Sequence, residues 1–138
     1  MDVAYLVAPF ATWLVAGCAK FAINSLRAKR LAFGLIGYGG MPSNHSAMVT
    51  AMAVLIALRE GIAHPAFGVA VTLAFIVMLD ANSLRRQVGR HAEAINRLNA
   101  ATGVAGELLR ERMGHSRLEI AGGIVTGALV AWLIDMFV

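Results

Sequence analysis

Val3-Ala4-Tyr5-Leu6-Val7-Ala8-Pro9-Phe10-Ala11-Thr12-Trp13-Leu14-Val15-Ala16-Gly17-Cys18-Ala19 is interrupted only by Thr12 before Lys20 closes it. Carried on through Phe21-Ala22-Ile23 it reaches about 20 residues, enough for an α-helix to cross a hydrocarbon core of ~30 Å. Lys20, near its end, can lay its stem along the helix and lift its amine to the interface. A cleaved signal peptide fits poorly. Asp2 stands where a basic residue is expected, and no small-residue cleavage site precedes a soluble domain.

Composition agrees with that first stretch. Of 138 residues, 59% are hydrophobic and 14% charged, with a mean hydropathy of +0.70. Soluble domains run nearer 45–50% apolar and about 25% charged. These values argue against a disordered chain, a disulfide scaffold and a soluble nucleic-acid binder. The lone Cys18 allows no internal disulfide. Twelve Lys and Arg against 8 Asp and Glu give a net charge of +4. In so apolar a chain, that excess suggests anionic lipid headgroups or phosphate as partners before DNA.

Working outward, Asn24 to Asn44 reads as a polar, basic loop carrying Gly37-Tyr38-Gly39-Gly40. Met41-Pro42-Ser43-Asn44-His45 opens a second helix, with Ser43 or Asn44 as its cap. That helix, through Val49 to Leu58, is short for a span. A third run, Ala66 to Leu79, continues past Asp80 to Leu84. From residue 85 to 117, apolar residues recur at helical spacing among Arg, Glu and Asn. This predicts one or two amphipathic helices broken near Thr102-Gly103, at the interface or against the bundle. The last span runs from Leu118 to Val138. The expected fold is therefore all-α: one integral membrane helical bundle over residues 1–138, with about four transmembrane helices and an amphipathic segment at 85–117. Four spans put loops 20–44 and 85–117 on one side. They hold 4 and 7 of the 12 basic residues, leaving Arg59 alone opposite. The positive-inside rule then predicts a multi-pass protein of the cell's inner membrane, with both loops cytoplasmic and both termini outside.

Three clusters with chemical potential fall on that face. Lys20 is followed seven positions later by Arg27, with Lys29 and Arg30 beyond. Pro42-Ser43-Asn44-His45-Ser46 starts a helix after a glycine-rich loop, where free N–H groups and the helix dipole favour an anion. Gly114-His115 precedes Glu119, and on a helix those two share a face. Glu119 would then hold one ring nitrogen of His115 and leave the other free as a nucleophile. A phosphate ester needs cations for its oxygens, a nucleophile in line and an acid for the leaving oxygen. No metal-ligand pattern occurs, so a metal-free route with no cofactor is expected.

In order, Lys20…Arg27, Pro42-Ser43-Asn44-His45 and His115…Glu119 resemble the three signature blocks of the type 2 phosphatidic acid phosphatase superfamily. That superfamily also contains bacterial acid phosphatases and vanadium-dependent haloperoxidases. Gly39 to Ala47, Leu79-Asp80-Ala81 with Arg85-Arg86, and Met113-Gly114-His115-Ser116 to Glu119 look like its divergent bacterial and plant branch. The resemblance implies that Lys20, Arg27, Ser43 and the backbone around Asn44 bind phosphate. It implies that His45 protonates the leaving group, that His115 is the nucleophile, and that Glu119 stands in for an orienting Asp. Ala28 replaces the Pro that usually follows the arginine, Asn44 replaces a Gly, and the Ser-Arg pair before the nucleophile is missing. Arg110, Arg112, or Arg85 and Arg86 are the candidates for the absent guanidinium.

Asp80 needs a partner if it sits within the apolar layer. It can pair with Arg85 or Arg86, hold Lys20 or Arg27, or sit in water at a helix end. His64 beside Pro65 reads as a loop residue and His91 as part of a solvated helix face. Gly123-x-x-x-Gly127 permits close helix contact, either within the chain or between two copies. A thin four-helix bundle favours a homodimer. The functional expectation is a membrane-embedded phosphatase acting on a lipid phosphate. The rival is a non-catalytic membrane protein that binds anionic lipid or a partner helix through the same basic face.

Overall fold

The computed structural model describes residues 3–31, 33, 40–104 and 106–138. Of the glycine-rich loop, Gly37, Tyr38 and Gly39 lie outside the described residues. The helices are α1 (Ala4–Ala28), α2 (Asn44–Arg59), α3 (Pro65–Leu79), α4 (Arg85–Thr102) and α5 (Arg117–Phe137). A π-helical turn, Asp80–Leu84, joins α3 to α4 without a break. Among the described residues there is no strand.

Among the described residues, three helices are long and apolar enough to cross a membrane: Ala4–Ala28, the continuous Pro65–Thr102 and Arg117–Phe137. The fourth expected span, α2, has 16 residues, or about 24 Å. It is the inner helix, with Ser46, Ala47, Thr50, Ala51, Ala53, Leu55 and Ile56 all buried against its neighbours. Its sequence explains that position. Mostly small side chains let three helices approach it closely, which is how helices associate where lipid supplies no hydrophobic drive. α1 offers Ala4, Ala8, Thr12 and Ala16, one small residue per turn. The Thr12 hydroxyl donates back to the Ala8 carbonyl at 2.7 Å, so that hydroxyl is not stranded. α5 offers Gly123 and Gly127. A Cβ on Gly127 would meet the backbone carbonyl of Ala47, and one on Gly123 would meet that of Ser43. The glycine pair is therefore used within the chain. α3 buries only Ala70 and Ala74.

The large side chains point the other way. Leu6, Phe10, Trp13 and Leu14 of α1, Val69, Leu73, Phe75 and Ile76 of α3, and Val125, Leu129 and Trp132 of α5 are all exposed. Small inside and large apolar outside is the arrangement of a bundle solvated by lipid.

The ends of the bundle differ. At one end Arg59 meets Asp135 at 2.9 Å, the Tyr5 hydroxyl donates to Glu60 at 2.8 Å, and His64 caps α3 through the Ala66 N–H. The other end gathers the C-terminal part of α1 and the starts of α2 and α5. The amphipathic expectation holds for α4, which ends at Gly103 in the left-handed conformation (φ 69°). Among the described residues beyond it, none is helical until Arg117. Instead, the segment from 106 to 116 returns along α4. Asn96 brackets Leu109, donating to its carbonyl at 2.8 Å and accepting from its N–H at 2.9 Å. Gly89 lets the Glu111 carbonyl approach where any Cβ would collide.

Candidate active site

α2 begins where Ser43 adopts an extended conformation and its hydroxyl accepts from the Ser46 N–H at 3.4 Å. That cap points His45, the second residue of the helix, outward, and His45 is exposed. α5 begins with Ser116 and Glu119 in a capping box: Ser116 Oγ accepts from the Glu119 N–H at 3.2 Å, and Glu119 Oε2 accepts from the Ser116 N–H at 3.0 Å. The same carboxylate oxygen lies 3.0 Å from His115 Nδ1. Ser43 N–H donates to the Glu119 carbonyl at 2.9 Å, tying the two helix starts together.

The result is a facing pair of histidines, ring centroids 6.4 Å apart and planes inclined at 55°. His115 is buried, with 8% of its surface accessible, while His45 is exposed. An ionised carboxylate only accepts, so Nδ1 of His115 donates to it, and in the neutral ring Nε2 is the nitrogen with the lone pair.

Cations surround the pair. Lys20 is half-buried within electrostatic range of Glu119 and His45. Asp80 pairs with Arg85, its Oδ2 accepting from Nε at 3.1 Å. A terminal nitrogen of Arg85 stands 3.4 Å from His45 Nε2. So Asp80 is neither a lone helix-end carboxylate nor a partner of Arg86. Arg86 instead donates to Asn82 at 3.1 Å along its own helix.

Other residues named from the sequence take different places. Arg27 is exposed on α1, seven residues and about 10 Å of helix axis beyond Lys20. The Ser43 side chain is fully buried, and its oxygen is engaged by both the N–H and the hydroxyl of Ser46; it shapes the turn from within. Asn44 turns to α1 and donates to the Trp13 carbonyl at 3.4 Å. Arg112 is exposed on the returning segment, its carbonyl accepting from Arg110 at 3.3 Å. Two elements escaped sequence reasoning. The π turn has no local signature, whereas Ser116-x-x-Glu119 is a visible capping-box pattern.

A bundle with small residues inside and lipid-facing bulk outside, carrying histidines, a carboxylate and cations at one end, defines a helical membrane protein with a polar cluster. The chain belongs to the Divergent PAP2 family, whose profile matches residues 1–130. It is similar to the uncharacterized membrane protein YuiD of Bacillus subtilis (strain 168), with 32% identity over 96% of this chain and 94% of that protein. No solved structure matches the chain. Membership bears out the resemblance drawn from the sequence blocks and marks a phosphatase-like membrane protein.

Proposed function

We propose that this protein is a lipid phosphate phosphatase that hydrolyses a phosphomonoester or diphosphate through a phospho-histidine intermediate. Phosphatidylglycerol phosphate, phosphatidate and prenyl diphosphates are the substrates to test. The observation that carries the reading is the facing His45–His115 pair, with His115 held through Nδ1 by Glu119. The headgroup enters from the basic end while the tails remain in lipid, and by the charge bias that end is cytoplasmic.

In the first step His115 Nε2 attacks phosphorus and the P–O bond to the alcohol or phosphate leaving group breaks. His45 gives its proton to the departing oxygen. Lys20 and Arg85 balance charge on the non-bridging oxygens, and Glu119 stabilises the positive imidazole ring. In the second step water attacks the phosphoryl-histidine. His45, now neutral, takes one proton from that water, and inorganic phosphate departs as the N–P bond breaks.

The test is phosphate release by purified protein from each lipid phosphate. Substitution His45→Ala is expected to lower the rate about 10²–10⁴-fold, and His115→Ala to abolish the covalent route. Release insensitive to EDTA is expected, since the steps use only side chains. Equal release by wild type and both variants, or none from any substrate, leaves only binding of anionic lipid by the basic face.

A further inference from the structure

We propose that Asp80 and Arg85, aligned by the π turn, form an anion-responsive clamp on His45. Arg85 is the guanidinium that completes the phosphate site, and Asp80 is the residue that positions it. The identity of the anion as a substrate rests on the phosphatase reading; the clamp itself rests on geometry.

Five residues along an α-helix are about 140° apart around the axis, so Asp80 and Arg85 would diverge on a regular helix. The π turn bonds Arg85 N–H to the Asp80 carbonyl, five residues back, which stacks the two side chains on one face. The same irregularity leaves the Ala81 carbonyl without its usual helical donor. His115 N–H takes that place at 2.9 Å. Gly114 reaches this contact with φ 92°, a conformation that strains any side chain, and a Cβ there would crowd the Ala81 carbonyl and the Arg86 N–H. One inserted residue therefore aims Arg85, places Asp80 to hold it, and docks the segment that carries His115. Arg86, the competing arginine on this turn, is directed at Asn82.

The contact between Arg85 and His45 has a definite sense. Arginine has no acceptor, so His45 Nε2 accepts and cannot carry a proton while the contact lasts. A phosphate oxygen is a stronger acceptor for guanidinium than neutral imidazole. When an anion arrives, the terminal nitrogens of Arg85 turn to it while Nε stays on Asp80. The released lone pair of His45 Nε2 takes one proton from solvent, and the general acid is armed only with an anion in place.

The experiment uses the full chain in detergent micelles, nitrogen-labelled at histidine, titrated with inorganic phosphate. Expected is a change of the His45 Nε2 resonance from acceptor to N–H as phosphate binds. Arg85→Ala and Arg85→Lys should each weaken phosphate binding about tenfold or more, Lys because it lacks the paired donors. Asp80→Asn should weaken binding and blunt the His45 change, and Asp80→Glu should restore part of both, which a merely structural role would not. Arg97→Ala, on the exposed face of α4, should match wild type. The clamp is overturned if His45 Nε2 is already protonated without phosphate, if wild type binds no phosphate, or if Arg86→Ala costs as much affinity as Arg85→Ala. Hydrolysis of a lipid phosphate that survives Arg85→Ala sinks the clamp and spares the phosphatase reading. A phosphate-dependent change at His45 with no lipid phosphate hydrolysed does the reverse.

Discussion

His115 has one ring nitrogen engaged and one available, and Glu119 decides which. The carboxylate is itself fixed twice, by the Ser116 N–H and by its place in the first turn of α5. Replacing Glu119 with Gln keeps the size but removes the charge that stabilises a positive imidazole, and the amide can turn its NH₂ toward Nδ1. The expected result is a loss of about 10²-fold or more in phosphate release with the bundle intact, checked by kinetics alongside thermal unfolding. Ser116→Ala removes the cap that starts the same helix. It should lower stability by about 1 kcal/mol, visible as a reduced Tm, and lower activity less than Glu119→Gln. The His-x-x-x-Glu spacing points to this pair, but His115 precedes Ser116, the N-cap of α5, so the capping turn and not a shared helix face brings the two together. The hydroxyl of Ser43 has no such pointer, because nothing in Pro-Ser-Asn-His tells whether a cap faces a ligand or the interior; here it faces the interior.

Among the elements, α2 and α5 hold the site together and α4 with its returning segment delivers one half of it. Gly127 lies against the Ala47 carbonyl, so Gly127→Leu must push α5 away from α2 and separate His115 from His45. Loss of activity together with a lowered Tm is expected; an unchanged Tm would show that this contact is not the one that joins them. Asn96→Ala releases Leu109 from α4 and should make the returning segment more susceptible to proteolysis, with less effect on the Tm of the bundle. Hydropathy located the spans well, including the shortness of α2, because apolar length is a local property. The leucines of 106–116 keep helical spacing and predict a helix where the chain instead returns along α4. What overrides that spacing is a set of long-range bonds from Asn96 and Ala81, and single-sequence periodicity carries no information about those.

At the scale of the molecule, polarity is concentrated at one end of an apolar bundle. Eleven of 12 basic residues lie in segments 20–44 and 85–117, and the exception, Arg59, is neutralised by Asp135 at the other end. With Cys18 replaced by serine, a cysteine at Ile62 should react with an impermeant maleimide in intact cells, and one at Arg97 only after lysis. The reverse pattern would turn the active end outward without altering its chemistry. The central claim concerns that chemistry, and covalent capture tests it most directly. Protein in liposomes is mixed with a radiolabelled lipid phosphate, quenched in alkali and mapped by mass spectrometry. The account predicts a phosphoryl group on His115 in the wild type, none in His115→Ala, and phosphate release lost with it; release that continues at the wild-type rate in His115→Ala would contradict it.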